Sequence, residues 1–283
     1  MVGSVNLDQS FAVDALPRPG QTVLASTQSS APGGKGGNQA VAAARAGASV
    51  QLVAALGDDS AATQLREHLD ENGVALDGLM TVPGPSGAAV IVVDAGAENT
   101  IVVAPGANAH LSMTSPHAQT VVAAAEVVLI QLEIPIATAL AAARVARAAG
   151  AVVIVNASPV QADTDDLAAL ARTTDVIVVN DDEAREWHWP VAHLVTTRGA
   201  HGVSYVHDGR SVDVPAPAVE PVDTTGAGDV FAGVLAAEWL SGADQALRRA
   251  CAAGALATLV PGAGGCAPTA EAIDDVLKLT STD

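Results

Sequence analysis

Residues 127–180 read VVLIQLEIPIATALAAARVARAAGAVVIVNASPVQADTDDLAALARTTDVIVVN. Short β-branched runs (VVLIQLE, AVVIVN, DVIVVN) alternate with alanine-rich stretches (ATALAAARVARAAG, DDLAALARTT). Continuous apolar runs suit strands buried on both faces, and alternation with helices suits a parallel sheet built from βαβ units. The pattern predicts an α/β fold: a central, mostly parallel β-sheet flanked by helices on both faces. Toward the N-terminus, GGNQAVAAARAGA predicts a helix that follows glycines, VQLVAALG a strand, and AATQLREHLDENG a helix ending at Gly73. Two regions break the rhythm. One is Phe11 to Ala31, rich in Pro, Gln and Ser; the other is AAVIVVDAGAENTIVVAPG, a hairpin whose turn is DAGAEN. Neither has helices to cover it. We therefore expect one domain over residues 1–283, with a small β-sheet from about 9–32 and 86–105 projecting as a lid or a dimer surface.

The chain has 283 residues, 49% of them hydrophobic, enough for a sizeable core. Its formal charge of -18 argues against nucleic acid or an anionic membrane as partner, because both require a basic face. An anionic small molecule stays compatible, since backbone N–H groups can make a local anion site. Lysine occurs only at Lys35 and Lys278, which makes Lys35, inside a glycine cluster, conspicuous. Cys251 and Cys266 lack metal-ligand spacing and do not suggest a disulfide framework, so a reducing cytoplasm is expected. MVGSVNLDQS has no basic start or long apolar core and does not read as a signal peptide. The longest apolar stretch, Ala250 to Val260, is too short to span a membrane.

Three clusters carry candidate chemistry. Val222-Asp223-Thr224-Thr225-Gly226-Ala227-Gly228-Asp229 leads into the apolar helix VFAGVLAAEWL. Glycines at a helix start leave N–H groups free for an anion, and a carboxylate beside them can hold a nucleophile's hydroxyl. Asp229 reads equally as a helix-capping aspartate. Gly33-Gly34-Lys35-Gly36-Gly37-Asn38-Gln39 also opens a helix but has neither GxxxxGK[ST] nor GxGxxG spacing. It reads as a grip for a polyol or as a flexible turn. In Gly3-Ser4-Val5-Asn6-Leu7-Asp8, alternation along a strand puts Asn6 and Asp8 on one side, suited to vicinal hydroxyls, or the segment is a turn.

Taken in order, GSVNLD, GGKGGNQA, GAEN…APGAN, QLE at 131–133, Asn180-Asp181-Asp182-Glu183 and VDTTGAGD resemble the ribokinase-like (phosphofructokinase B-type) sugar kinases over nearly the whole chain. The resemblance implies transfer of the γ-phosphoryl group of ATP to the 5-hydroxyl of D-ribose. It implies that Asn6, Asp8, Gly34, Lys35, Asn38 and Glu133 bind the sugar. Asp229 would be the base, and the amides of Gly226, Ala227 and Gly228 the anion hole. Asn180 and Glu183 would serve the phosphates and Mg²⁺ with its waters, although a solvated helix-face glutamate is the plainer reading of Glu183. Thr197, Gly199 and Gly202 fit the family's T-x-G-x-x-G nucleotide loop, or a simple strand-to-turn. K⁺ would sit on Asp223, Thr225, Ala257, Val260, Gly262 and Cys266, mainly through carbonyls. Two other readings stay open: a kinase of deoxyribose, a nucleoside or another furanose, and a non-catalytic sugar-binding regulator.

The chain departs from the family pattern at three places. It begins at Met1-Val2-Gly3, so the first strand is a stub, as in a truncated chain or one with a mis-assigned start. Only DDEAREWHWPVAHLVT separates Asn180 from Thr197, which predicts a lost or shortened helix with Trp187 and Trp189 covering the sheet and weakened ATP binding. Cys266 stands where a hydroxyl or small residue is usual, and a thiol is a poor ligand for a hard cation. His188, His193, His201 and His207 lack ligand spacing and read as surface or turn residues. Exposed lid strands predict a homodimer joined through the lids.

Overall fold

The computed structural model describes residues 1–96, 98–162 and 164–280. In chain order, β1 (Asn6–Ala12), β2 (Thr27–Gly33) and α1 (Lys35–Arg45) are followed by β3 (Val50–Gln51), β4 (Ala54–Leu56), α2 (Ser60–Glu71), β5 (Val74–Ala75) and β6 (Leu79–Thr81). Then come β7 (Gly87–Val93), β8 (Asn99–Ala104), α3 (Pro116–Ala123), β9 (Val127–Gln131), α4 (Ile136–Ala148), β10 (Val152–Asn156), α5 (Asp165–Thr173) and β11 (Val176–Asn180). The rest comprises α6 (Asp181–Glu186), β12 (His193–Thr197), β13 (Val203–His207), β14 (Arg210–Val214), α7 (Ala227–Glu238), α8 (Ala243–Ala257) and α9 (Ala270–Thr280).

The main sheet runs β14-β13-β12-β11-β10-β9. Its members β9 to β12 are parallel, and β13 and β14 add an antiparallel edge. The alternation of side chains explains why each parallel strand is apolar throughout. Leu129, Ile154, Val176 and Val178 enter one core cluster with Val41, Phe231 and Leu247. Val128, Ile130, Val153, Val155, Ile177 and Val179 enter a second one with Leu140, Leu167 and Leu170. Helices α1, α7 and α8 therefore cover one face and α4 and α5 the other.

The stub expected at the N-terminus does not interrupt the sheet. Val2, fully buried, bridges both Ile130 and Val53 in the parallel sense. Its N–H donates to Leu129 O at 3.0 Å, and Gly3 N–H donates to Val53 O at 3.1 Å. Val53 leads into β4, which pairs with β6, so the sheet continues past this point.

The uncovered strands form a second sheet in the order β2-β1-β7-β8. It begins earlier than the expected bounds, at Asn6, and extends to Gly33, because β1 and β2 stay paired down to the Asn6–Gly33 register. The β7–β8 hairpin is present, and Asp94 Oδ1 accepts from the N–H groups of Gly96 (2.8 Å) and Glu98 (3.1 Å) to close its turn. Ala97 of DAGAEN lies outside the described residues. Both faces of β8 are open: Val102 on one and Ile101 on the other are 62% and 53% accessible.

The helix between Asn180 and Thr197, α6, has six residues. Asn180 accepts from the N–H groups of Asp182 and Glu183, while Glu183 Oε2 accepts from Asn180 N–H, a capping box that starts the helix. The chain then turns at Trp187, whose Nε1–H donates to Trp189 O at 2.9 Å. The two indoles meet edge to face at 5.0 Å and pack on the second core cluster, so they cover that part of the core.

Candidate active site

Asp229 is the third residue of α7. Gly226 is the N-cap, at φ 80°, and no side chain caps this helix, which removes the capping reading of Asp229. A Cβ on Gly226 would also stand 2.7 Å from Ala263 Cα, so the turn requires glycine on both counts. The Asp229 carboxylate is only 8% exposed. Its Oδ2 accepts from Asn38 Nδ2 (2.9 Å) and its Oδ1 from Gln39 Nε2 (3.0 Å). Both donors belong to α1, which packs tightly on α7: a Cβ on Gly233 would lie 2.4 Å from Gln39 O. Ala227 N–H donates to Thr224 O at 3.3 Å, whereas the N–H groups of Gly226 and Gly228 have no backbone partner outside the helix among the described residues.

The sugar-side residues named from the sequence converge at the start of α1. Glu133 Oε2 accepts from Ser4 Oγ (2.5 Å) and from Lys35 N–H (3.0 Å). Gly34 lies against the backbone of Val5 and Asn6. Burial lowers the Lys35 ammonium, but the charges of Asp229, Glu133 and Glu183 outweigh it and hold its pKa above the ordinary value. Asp8 has the opposite problem. Burial, then repulsion from Glu133, push its carboxyl up to about 6, and its Oδ1 is buried with no partner. Asn6 and Glu133 line a cleft of about 380 Å³ together with Val103, Asn108 and Gln161.

A second cavity, about 470 Å³, is lined by Thr197, Gly199, Gly202 and Gly228 from the expected nucleotide set, with Thr224, Ala227, Phe231 and the 216–219 segment. Asn180 and Glu183 are not part of that lining. Glu183 instead borders a small cavity shared with Trp187 and Trp189. The residues expected around K⁺ are partly gathered by Asp223, whose oxygens accept from Thr225 N–H (2.9 Å) and Gly262 N–H (2.8 Å). Burial opposes the ionised form of Asp223, but these hydrogen bonds prevail and keep its pKa below the usual range. Burial pushes the Cys266 thiol up to about 11, so it is a neutral donor to Ala263 O (3.3 Å) and supplies no ligand oxygen from its side chain. The side chains of Ala257 and Val260 are hydrocarbon, so any contribution from either comes through its carbonyl.

The signature of the pfkB family of carbohydrate kinases matches residues 1–270. The chain belongs to this family. A Bacillus subtilis ribokinase is 34% identical over 295 residues, covering 98% of each chain. Ribokinase from Thermotoga maritima superposes with a TM-score of 0.89 at 29% identity, over 98% of both chains. An Arabidopsis thaliana ribokinase solved with ribose and ATP gives 0.90 at 30% identity, over 98% of this chain and 97% of the other.

The structure also ties into this region residues that the motif reading passed over. Asn108 accepts from Val5 N–H (3.0 Å) and donates to Asn6 Oδ1 (2.8 Å), which turns the Asn6 amide toward the cleft. Ser4 joins Glu133 to the glycine cluster. Asn108 closes the quoted APGAN motif and Ser4 lies within GSVNLD, so position was available, but their partners lie 103 and 129 residues away. His193 and His207 lie in neither cavity. Their rings stack at 4.0 Å, and Tyr205 and Trp239 flank His193.

Proposed function

We propose that this kinase is a ribokinase, transferring the γ-phosphoryl group of ATP to the 5-hydroxyl of D-ribose to give ribose 5-phosphate and ADP. The observation that carries this reading is the buried Asp229 carboxylate. It follows the Gly228 that lines one cavity, and it is bonded to the helix whose first residue meets Glu133 of the other. Asp229 takes the proton of the hydroxyl as the new O–P bond forms and the bond from the γ-phosphorus to the departing ADP oxygen breaks. The unpartnered Asp8 Oδ1 fits a sugar hydroxyl as donor, and Asn6, Gly34, Lys35, Asn38 and Glu133 complete a polyol site. ATP would occupy the larger cavity along Thr197, Gly199 and Gly202, with the amides of Gly226 and Gly228 facing its phosphates. Ala227 N–H can join them only by releasing Thr224 O.

Mg²⁺, when bound, would neutralise phosphate charge; Asn180 and Glu183 lie outside the lining of the nucleotide cavity and are tied to each other in the capping box, so they would serve it only through intervening waters. The fit of K⁺ rests on the carbonyls of Thr225, Ala257, Val260, Gly262 and Cys266 beside Asp223, without help from the thiol. The β2-β1-β7-β8 sheet would act as lid, and the exposed β8 residues support a homodimer through it. Both cysteines are free and buried, which supports a reducing cytoplasm. No helix among the described residues is long and apolar enough to cross a membrane.

The test is ATP-dependent phosphorylation of D-ribose, deoxyribose and nucleosides, with and without K⁺, and ³¹P NMR of the product. Ribose 5-phosphate as the main product supports the assignment, whereas rejection of ribose with turnover of another furanose overturns it.

A further inference from the structure

Gln39 is fully buried on α1, and every hydrogen of its amide is committed. Nε2 donates to Asp229 Oδ1 and to Asn156 Oδ1, both at 3.0 Å, while Oε1 accepts from Gln131 Nε2 at 2.6 Å. Asn156 is held in turn by its own donation to Val178 O at 3.2 Å. Turning the Gln39 amide over would set oxygen against oxygen at Asp229 and Asn156 and nitrogen against nitrogen at Gln131. Its orientation is therefore determined by its neighbours, which span β9, β10 and α7.

Resting on the reading of Asp229 as the base, we infer that Gln39 is a positioning residue for the phosphoryl transfer: it clamps Oδ1 and leaves Oδ2 to face the attacking hydroxyl. The other donor, Asn38 on Oδ2, belongs to the sugar-side set and can exchange Asp229 for a sugar hydroxyl. Gln39 lines neither of the two cavities described above and stays on Asp229 throughout.

The test compares wild type with Gln39→Met, similar in length but without the donor. The variant is expected to lose roughly 10- to 100-fold in kcat through misplacement of the base. Its KM for ribose should stay within about threefold, since Gln39 does not reach the sugar. The acid limb of the kcat profile should also move, because the carboxylate loses a charge-assisted donor. Gln39→Leu, of similar volume and also without the donor, carries the test should the Met variant not fold. In parallel, ¹³C carboxyl titration of each protein without ATP or sugar follows Asp229 directly and needs no turnover. If wild type phosphorylates no sugar, the base assignment fails while this titration still reports the clamp. An unchanged Asp229 titration in a folded variant, or an unchanged kcat and acid limb, overturns the inference.

Discussion

Replacing Asp229 by Asn removes the proton acceptor while keeping the shape of the side chain. The wild-type carboxylate receives Gln39 Nε2 on one oxygen and Asn38 Nδ2 on the other. An Asn amide offers only one oxygen, so one buried donor must face an NH₂ group and lose its partner. Leaving a buried donor unsatisfied costs about 1–3 kcal/mol. For a chain of this size that corresponds to a fall in Tm of roughly 2–5 °C. The chemical effect is separate and larger, because a positioned general base contributes about 10²–10⁴-fold to rate. The expected result is a kcat reduced by that factor, a ribose affinity by calorimetry within about tenfold, and a modest thermal shift. A coupled ADP-release assay, ribose calorimetry and a melting curve measure the three quantities on one preparation. A folded Asp229→Asn protein that retains more than a tenth of wild-type kcat would refute the base assignment.

Three further outcomes are expected. The raised Asp8 carboxyl, about 6, means that the fold favours its neutral form, so its destabilising contribution grows as pH rises from about 4 to about 6 and is complete above that. Asp8→Asn should therefore raise stability at pH 8 by about 1–3 kcal/mol and by much less at pH 4, while ribose binding weakens; equal Tm differences at the two pH values would show that the buried charge costs nothing. Gly226→Ala must adopt φ 80° and press on Ala263, with an expected loss of about 2–4 kcal/mol and of most turnover, checked by denaturant unfolding and kcat. Trp187→Ala should lower stability by about 2–3 kcal/mol, the low end for a tryptophan because the ring is half-buried, and should raise the KM for ATP if α6 supports the phosphates; a change confined to Tm would assign the indole to packing alone.

Much of the architecture is local information. The apolar runs at 127–131, 152–156 and 176–180 and the alanine-rich segments between them dictate strands and helices from near neighbours alone. The glycines of 33–37 and 226–228 likewise mark backbone that must turn or lie against another segment. The order of these motifs is enough to assign the family, and Asn6, Asp8, Lys35, Asn38, Glu133 and Asp229 do assemble at one site. What the chain could not disclose by itself is how the polar side chains pair. Whether Asp229 caps a helix or waits as a base depends on Asn38 and Gln39, 191 and 190 residues away in sequence. The same holds for Asn108 on Asn6, for Ser4 on Glu133, and for Val2 completing the sheet between β9 and β4. A buried amide or carboxylate has no periodicity or composition signal; its role is determined by which donor or acceptor the packed helices and strands deliver within about 3 Å, and only the tertiary structure makes that delivery.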